Sequence, residues 1–129
     1  KIKTFIYIPE KRYYYYYNSE SISNGPLDKN MLNYLEFRKK IYEYYSAKTP
    51  ELGKMSEALY ARAAMGLQTR MALYGISKEL DERECVNTFN NVFKLHRKAF
   101  FEGNDIPISR KIIAVIVFKF YKIIRLLRK

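Results

Sequence analysis

Cysteine and histidine each occur once in this chain, as Cys85 and His96, and glycine and proline are scarce, with five and four residues. A single cysteine excludes a disulfide within the chain and suits a reducing compartment. Because so few residues break secondary structure, the 129 residues are expected to form one domain, or part of one, built from long elements.

Sequence motifs of nucleotide and metal chemistry are also missing. The chain contains no Asp-x-Asp, Walker loop, GxGxxG, HExxH or CxxC. His96 lies on a predicted helix, where a surface or capping role is expected, and Cys85 is expected to pack in that helix. The acidic residues at 81–84 are typical of dipole compensation at a helix start. We therefore predict no catalytic residue, metal ligand or cofactor in this segment.

Basic residues outnumber acidic ones, with 24 Lys and Arg against 13 Asp and Glu, a formal net charge of +11. This excess predicts anionic partners such as anionic lipid, nucleic acid or phosphorylated substrates. No apolar run reaches the roughly 20 residues needed to span a bilayer, and no signal peptide is recognised. The chain opens at Lys1 within a strand-like pattern, so we expect it to be a C-terminal fragment.

The local patterns predict a mainly α fold, with one or two N-terminal strands followed by about four helices. Residues 1–8 alternate as a half-buried strand, and the tyrosine run at 13–17 is a second strand or extended segment. Helix starts are predicted from capping residues. The predicted starts are Asp28, Thr49-Pro50, Ser77 and Ser109. The predicted ends are 46–48, Gly75 and Gly103.

Three segments follow from this pattern: 1–26 with the strand and tyrosine run, 27–103 as a helical appendage, and 104–129 as a linker and basic helix. In the second helix, alanines and Gly66 form a small-residue surface that would let another helix approach closely. In the third, Phe89, Val92, Phe93 and Leu95 are expected to supply the apolar side.

The last predicted helix, residues 110–129, carries seven basic residues and no acidic one. One half of its helical wheel is apolar and the other half contains every cation. Such a helix can lie on a membrane, where each cation near an anionic surface adds roughly 1 kcal/mol. The alternative is a helix docked on its own domain with a solvated basic face. The candidate membrane-facing residues are Lys119, Lys122, Arg125 and Arg128.

Residues 8–24 resemble the region that follows the catalytic domain in bacterial family 2 glycosyltransferases, the inverting enzymes that build capsular and exopolysaccharides. The matching motifs are Ile8-Pro9-Glu10, Tyr13-Tyr14-Tyr15 and Ser21-Ile22-Ser23. A basic, apolar terminal helix that starts with Ser109-Arg110-Lys111 is similar too. In the family, Arg commonly follows the tyrosines, whereas this sequence has Tyr16 or Tyr17 there. That departure puts transfer of a diphosphate-binding role in doubt.

The resemblance implies a missing N-terminal GT-A catalytic domain that binds a nucleotide-sugar with Mn²⁺ or Mg²⁺. The present segment would close the cleft over the donor and the saccharide acceptor, which is expected to be lipid-linked. It would also hold the enzyme on the cytoplasmic face of the plasma membrane. The candidate cleft residues are Tyr15, Tyr16, Tyr17, Ser21 and Ser23.

Two other functions stay open. A basic helical module could bind nucleic acid, although the cationic face has no Asn or Gln suited to base edges, and no nucleic-acid partner is expected. A helical interaction domain could self-assemble, with the tyrosine strand pairing edge to edge in a homo-oligomer. Packing of that strand under its own helices would require no ligand.

Overall fold

A computed structural model describes residues 25–128 of the chain. Four helices account for most of this part: α1 (Lys29–Ser46), α2 (Pro50–Tyr74), α3 (Glu82–Glu102) and α4 (Ile108–Leu127). The prediction of a mainly helical fold with four helices is confirmed for these residues. The predicted strand at 1–8 and the tyrosine run lie outside them.

Local capping signals set most helix boundaries where they were predicted. The Asp28 carboxylate accepts a hydrogen bond from the Met31 amide at 2.9 Å, which satisfies one free N–H at the start of α1. Helix α2 begins with Pro50, whose missing N–H costs nothing at this position. It ends at Gly75, whose φ of 89° is unfavourable for any other residue. Gly103 follows the end of α3, also as predicted.

Two predicted capping residues are wrong. Helix α3 starts at Glu82 rather than after Ser77, and its cap is Asp81, which accepts from the Glu84 amide at 2.7 Å. The Ser77 amide instead donates a hydrogen bond to the Leu27 carbonyl at 2.8 Å. Ser77 therefore pairs with the segment that precedes α1. Ser109 lies inside the first turn of α4, which Pro107 precedes.

Helix α2 is the centre of the bundle and packs against each of the other three helices. Its small side chains permit this, because Ala58, Ala61 and Ala64 are buried and present little bulk to their neighbours. At its first turn, Gly53 lies so close to α1 that an added Cβ would be 3.1 Å from the Ser46 Cα. Gly66 differs from the alanines, because it is exposed.

A short parallel bridge between Leu27 and Ile76 joins the chain before α1 to the chain after α2. The Leu27 amide donates to the Gly75 carbonyl at 2.9 Å, and the Leu27 carbonyl accepts from the Ser77 amide. The Leu27 side chain is fully buried. The entry of the chain into the bundle is therefore fixed beside the turn that connects α2 and α3.

The inner face of α3 contains Phe89, Val92 and Phe93, as predicted, but not Leu95. Leu95 is 77% exposed, and His96 takes the inward position instead. At 100° per residue, Leu95 is about 120° from Phe89 around the helix, whereas His96 is only about 20° away. The helical period itself therefore favours His96 over Leu95.

Candidate membrane interface

Helix α4 docks on the bundle through a narrow side that contains Ala114, Val117 and Tyr121, all buried. Partly buried Phe118 and Ile124 extend this contact. This side lies at the boundary between the apolar and basic halves of the helical wheel. The bundle therefore covers only the edge of the apolar half.

A hydrogen-bonded network fixes the rotation of α4 against α3. The Tyr121 hydroxyl donates to Glu82 Oε1 at 2.6 Å, and Arg125 Nε lies 3.4 Å from the same oxygen. Burial, followed by the hydrogen bond to Glu82, raises the pKa of the Tyr121 phenol well above its usual range, so this group stays protonated as a donor. The network attaches the last turns of α4 to the first turn of α3.

A second polar contact holds the start of α4. The Lys111 ammonium donates to the carbonyl oxygens of Phe101 at 2.7 Å and Gly103 at 3.0 Å. Carbonyls at the end of α3 have no partners within that helix and carry partial negative charge, which a lysine neutralises. With contacts near both ends, α4 presents one defined side to solvent.

That solvent side is an apolar ridge formed by Ile112, Ile116, Phe120, Ile123 and Leu127. Each is between 45% and 82% exposed, and Ile113 beside them is 37% exposed. The backbone departs from helical angles at Phe120 (φ −117°, ψ 18°), which puts a kink within the ridge. Single exposed apolar residues are ordinary, but a continuous row along one helix marks an interaction surface.

The predicted membrane-facing cations occupy three different settings. Lys119 and Lys122 are exposed on the flank of the ridge. Arg128 is exposed at the C-cap of α4. Arg125 turns toward the bundle, where it pairs with Glu82 and its guanidinium lies beside Gly75. Its position therefore differs from the one expected, and the structure groups only Lys119 and Lys122 with the ridge.

The predicted cleft residues Tyr15, Tyr16, Tyr17, Ser21 and Ser23 lie outside residues 25–128. Their role in donor and acceptor binding stays a prediction.

A polar cluster that the sequence did not reveal lies between α1, α2 and α3. His96 Nδ1 is 2.9 Å from Glu57 Oε1, and the imidazole meets the rings of Tyr42 and Tyr60 at centroid distances of 5.1 and 5.3 Å. The expectation of a surface position for His96 is wrong. Burial, with a smaller contribution from Glu36, raises the pKa of Tyr60. With two phenols packed on the imidazole, the cluster has the character of a structural contact.

No helix among residues 25–128 is both long and apolar enough to cross a bilayer. The same residues contain no group of three His, Cys, Asp or Glu side chains that could hold a metal ion.

Comparisons of the chain with protein-family models, with curated proteins and with solved structures gave no match.

Proposed function

We propose that this chain is the C-terminal part of a family 2 glycosyltransferase and that helix α4 attaches the enzyme to an anionic membrane surface. The observation that supports membrane attachment most strongly is the apolar ridge, which points away from the bundle with Lys119 and Lys122 on its flank. A helix of this kind lies in the plane of the interface, with apolar side chains at the acyl boundary and cations over the head groups.

The available binding energy can be worked out from the ridge. Full burial of an isoleucine or phenylalanine side chain is worth roughly 1.5–3 kcal/mol, so a half-exposed one contributes about 1 kcal/mol when covered. Five ridge residues and two flanking lysines therefore offer on the order of 7 kcal/mol before the cost of immobilisation. This suffices for reversible attachment of a peripheral protein.

The test is flotation of the purified chain with vesicles of phosphatidylcholine alone or with phosphatidylglycerol added. We expect binding only with the anionic lipid. The double variant Ile116→Glu, Ile123→Glu removes two apolar contacts and adds two repulsive charges, a loss of about 4 kcal/mol, or roughly 10³-fold in partitioning. Both residues are about half exposed, so the fold should be retained.

A matched control replaces two exposed apolar residues elsewhere, Phe37→Glu and Leu95→Glu, which are 59% and 77% exposed. This control changes the net charge equally but leaves α4 intact. It should float like the original chain. Equal flotation of the two double variants would refute a specific role for the ridge.

The same preparations separate the rival functions. A nucleic-acid module would bind duplex or single-stranded oligonucleotides with an affinity that falls steeply with salt, and the ridge variant would leave that binding unchanged. A self-assembling domain would sediment as an oligomer without lipid.

The glycosyltransferase part of the proposal rests on the motifs at residues 8–24 and at Ser109-Arg110-Lys111. In it, Tyr15, Tyr16, Tyr17, Ser21 and Ser23 contact the nucleotide-sugar or the saccharide acceptor, and catalysis is supplied by a GT-A domain. The coding sequence upstream of Lys1 provides the test. A nucleotide-binding half with an Asp-x-Asp motif is expected there, and an unrelated domain or a start codon at this point would contradict the assignment.

A further inference from the structure

A cavity of about 310 Å³ lies between α1, α2 and the first turns of α4, near the end of α3. Its volume is at the lower end of the roughly 300–1,000 Å³ typical of small-molecule sites. Apolar side chains, including Leu59 and Phe100, form part of its wall. The polar part of the wall consists of Tyr34, Thr69 and three arginines, so the charged side chains that line the cavity are all positive.

The three arginines come from three different helices: Arg38 from α1, Arg62 from α2 and Arg110 from α4. Among residues 25–128, no aspartate or glutamate lines the cavity. Within residues 25–128, none of the three arginines forms an ion pair with a carboxylate. Three like charges around one cavity repel each other, and an anion placed among them would relieve that repulsion.

One of these side chains, Arg38, is oriented by its neighbour Tyr34. Arg38 Nε donates to the Tyr34 hydroxyl at 3.0 Å, and its guanidinium lies 5.1 Å from the centroid of the same ring. This contact uses only Nε of Arg38 and the oxygen of the Tyr34 hydroxyl, so it does not occupy the terminal nitrogens of Arg38 or the hydroxyl hydrogen of Tyr34. The other two arginines also line the cavity, with Arg62 partly buried and Arg110 exposed.

Gly66 creates the space in this cavity. It lies in the interior of α2, one turn beyond Arg62, and a Cβ added there would meet nothing within 4 Å. Glycine inside a helix costs about 1 kcal/mol relative to alanine. No close helix approach requires it at this position, because the residue is exposed. The missing side chain keeps the wall open beside the arginines.

We infer that this cavity binds a phosphate monoester or diphosphate group through Arg38, Arg62 and Arg110. Guanidinium groups pair with phosphate oxygens through two parallel hydrogen bonds. The charge of three cations matches a group that carries two or three negative charges, which distinguishes it from a carboxylate or a phosphodiester. This inference does not depend on membrane attachment.

The group could belong to a lipid headgroup or to a soluble phosphorylated compound. Ile113 both lines the cavity and adjoins the apolar ridge, so a lipid with its phosphate in the cavity could place its chain along α4. A soluble diphosphate would occupy the same arginines without touching the ridge.

The test measures binding of inorganic pyrophosphate to the full chain by calorimetry, with sulfate at equal ionic strength as the reference. We expect pyrophosphate to bind more tightly than sulfate. Arg62→Gln should weaken pyrophosphate binding about tenfold or more, since it removes a charged hydrogen-bonding partner. Arg97→Gln, an exposed arginine of α3 outside the cavity, should change it less than about twofold.

A second variant guards against misfolding of the first. Gly66→Leu adds a bulky side chain at the cavity wall while keeping all three arginines, and it replaces glycine by a better helix former. It should abolish pyrophosphate binding without lowering the melting temperature. Pyrophosphate binding no tighter than sulfate, or equal affinities for Arg62→Gln and Arg97→Gln, would overturn the inference.

The two sources are separated with vesicles of matched surface potential that contain either phosphatidic acid, a monoester, or phosphatidylglycerol, a diester. A preference for phosphatidic acid that Arg62→Gln removes identifies a lipid headgroup. Pyrophosphate binding without that preference identifies a soluble compound. The Ile116→Glu, Ile123→Glu variant should still bind pyrophosphate, so failure of membrane attachment and failure of this site give different results.

Discussion

Replacing Tyr121 with phenylalanine tests whether the network with Glu82 holds α4 in position. The variant keeps the buried ring and removes only the hydroxyl, so it creates no cavity. A hydrogen bond to a charged group is worth roughly 1.5–3 kcal/mol. Because the Glu82 side chain is 39% exposed, water can replace the lost donor, and the lower value of about 1.5 kcal/mol applies. For a domain near 100 residues this lowers the melting temperature by about 6–12 °C.

Urea unfolding followed by circular dichroism gives the free energy of unfolding for the original chain, Tyr121→Phe, Glu82→Gln and the double variant. The coupling energy between the two positions should be about 1 kcal/mol or more. Tyr44→Phe is the matched control, since among residues 25–128 the Tyr44 hydroxyl accepts a hydrogen bond only from the exposed Lys48, at 2.6 Å. This change should alter stability by less than about 0.5 kcal/mol. A coupling energy near zero, or equal losses for Tyr121→Phe and Tyr44→Phe, would refute the reasoning.

Two further predictions concern stability. Gln68 is fully buried, and neither its side-chain nitrogen nor its oxygen has a hydrogen-bond partner in the described residues. Because an unsatisfied buried amide is unfavourable, Gln68→Met should raise the free energy of unfolding by about 1–3 kcal/mol, as measured by urea unfolding. A loss of stability would mean that the amide is satisfied. The raised pKa of Tyr121 predicts that stability depends on pH. Above the usual phenol pKa of 10.0, the unfolded chain loses this proton while the folded chain keeps it. The free energy of unfolding should therefore fall as pH rises, by up to about 1.4 kcal/mol per pH unit. Urea unfolding between pH 9 and pH 11 measures this fall, and an unchanged slope in Tyr121→Phe would contradict its assignment to this residue.

The four helices and most of their ends could be predicted from the sequence, because helix formation and capping depend on residues that are close in the chain. Asp28 caps the turn that follows it, and Pro50 and Gly75 act on their own backbone. Ser77 is not the cap because it lies in the connection before α3, where its amide donates to the Leu27 carbonyl, 50 residues earlier in the chain, and its carbonyl accepts from the Leu80 amide in a turn. Asp81, with Glu84 three residues later, also fits a local capping pattern, so local signals alone left two candidate starts for α3.

The site was harder to predict than the fold. Helical periodicity identified an apolar half of α4, yet apolar residues such as Ala114 and Phe118 also occur on its other half. Periodicity alone therefore could not decide which side contacts the bundle. The hydrogen bond from Tyr121 to Glu82 fixes which side of α4 faces the bundle. In this orientation the larger apolar residues of α4 stay exposed, and Arg125 faces Glu82. The arginine cavity needed three helices to assemble, which no linear pattern reveals.

The bridge at Leu27 also determines where the tyrosine segment is attached. Residues 1–24 join the bundle just before Leu27, whose amide bonds Gly75, and the Arg125 guanidinium lies beside that same glycine. The N-terminal attachment point and the last turns of α4 thus share one anchor. If α4 lies on a bilayer, as we propose, this shared contact would keep the start of the bundle near the lipid headgroups. A sugar-transferring domain that precedes the bundle would then lie close to the membrane surface, where lipid-linked acceptors are found.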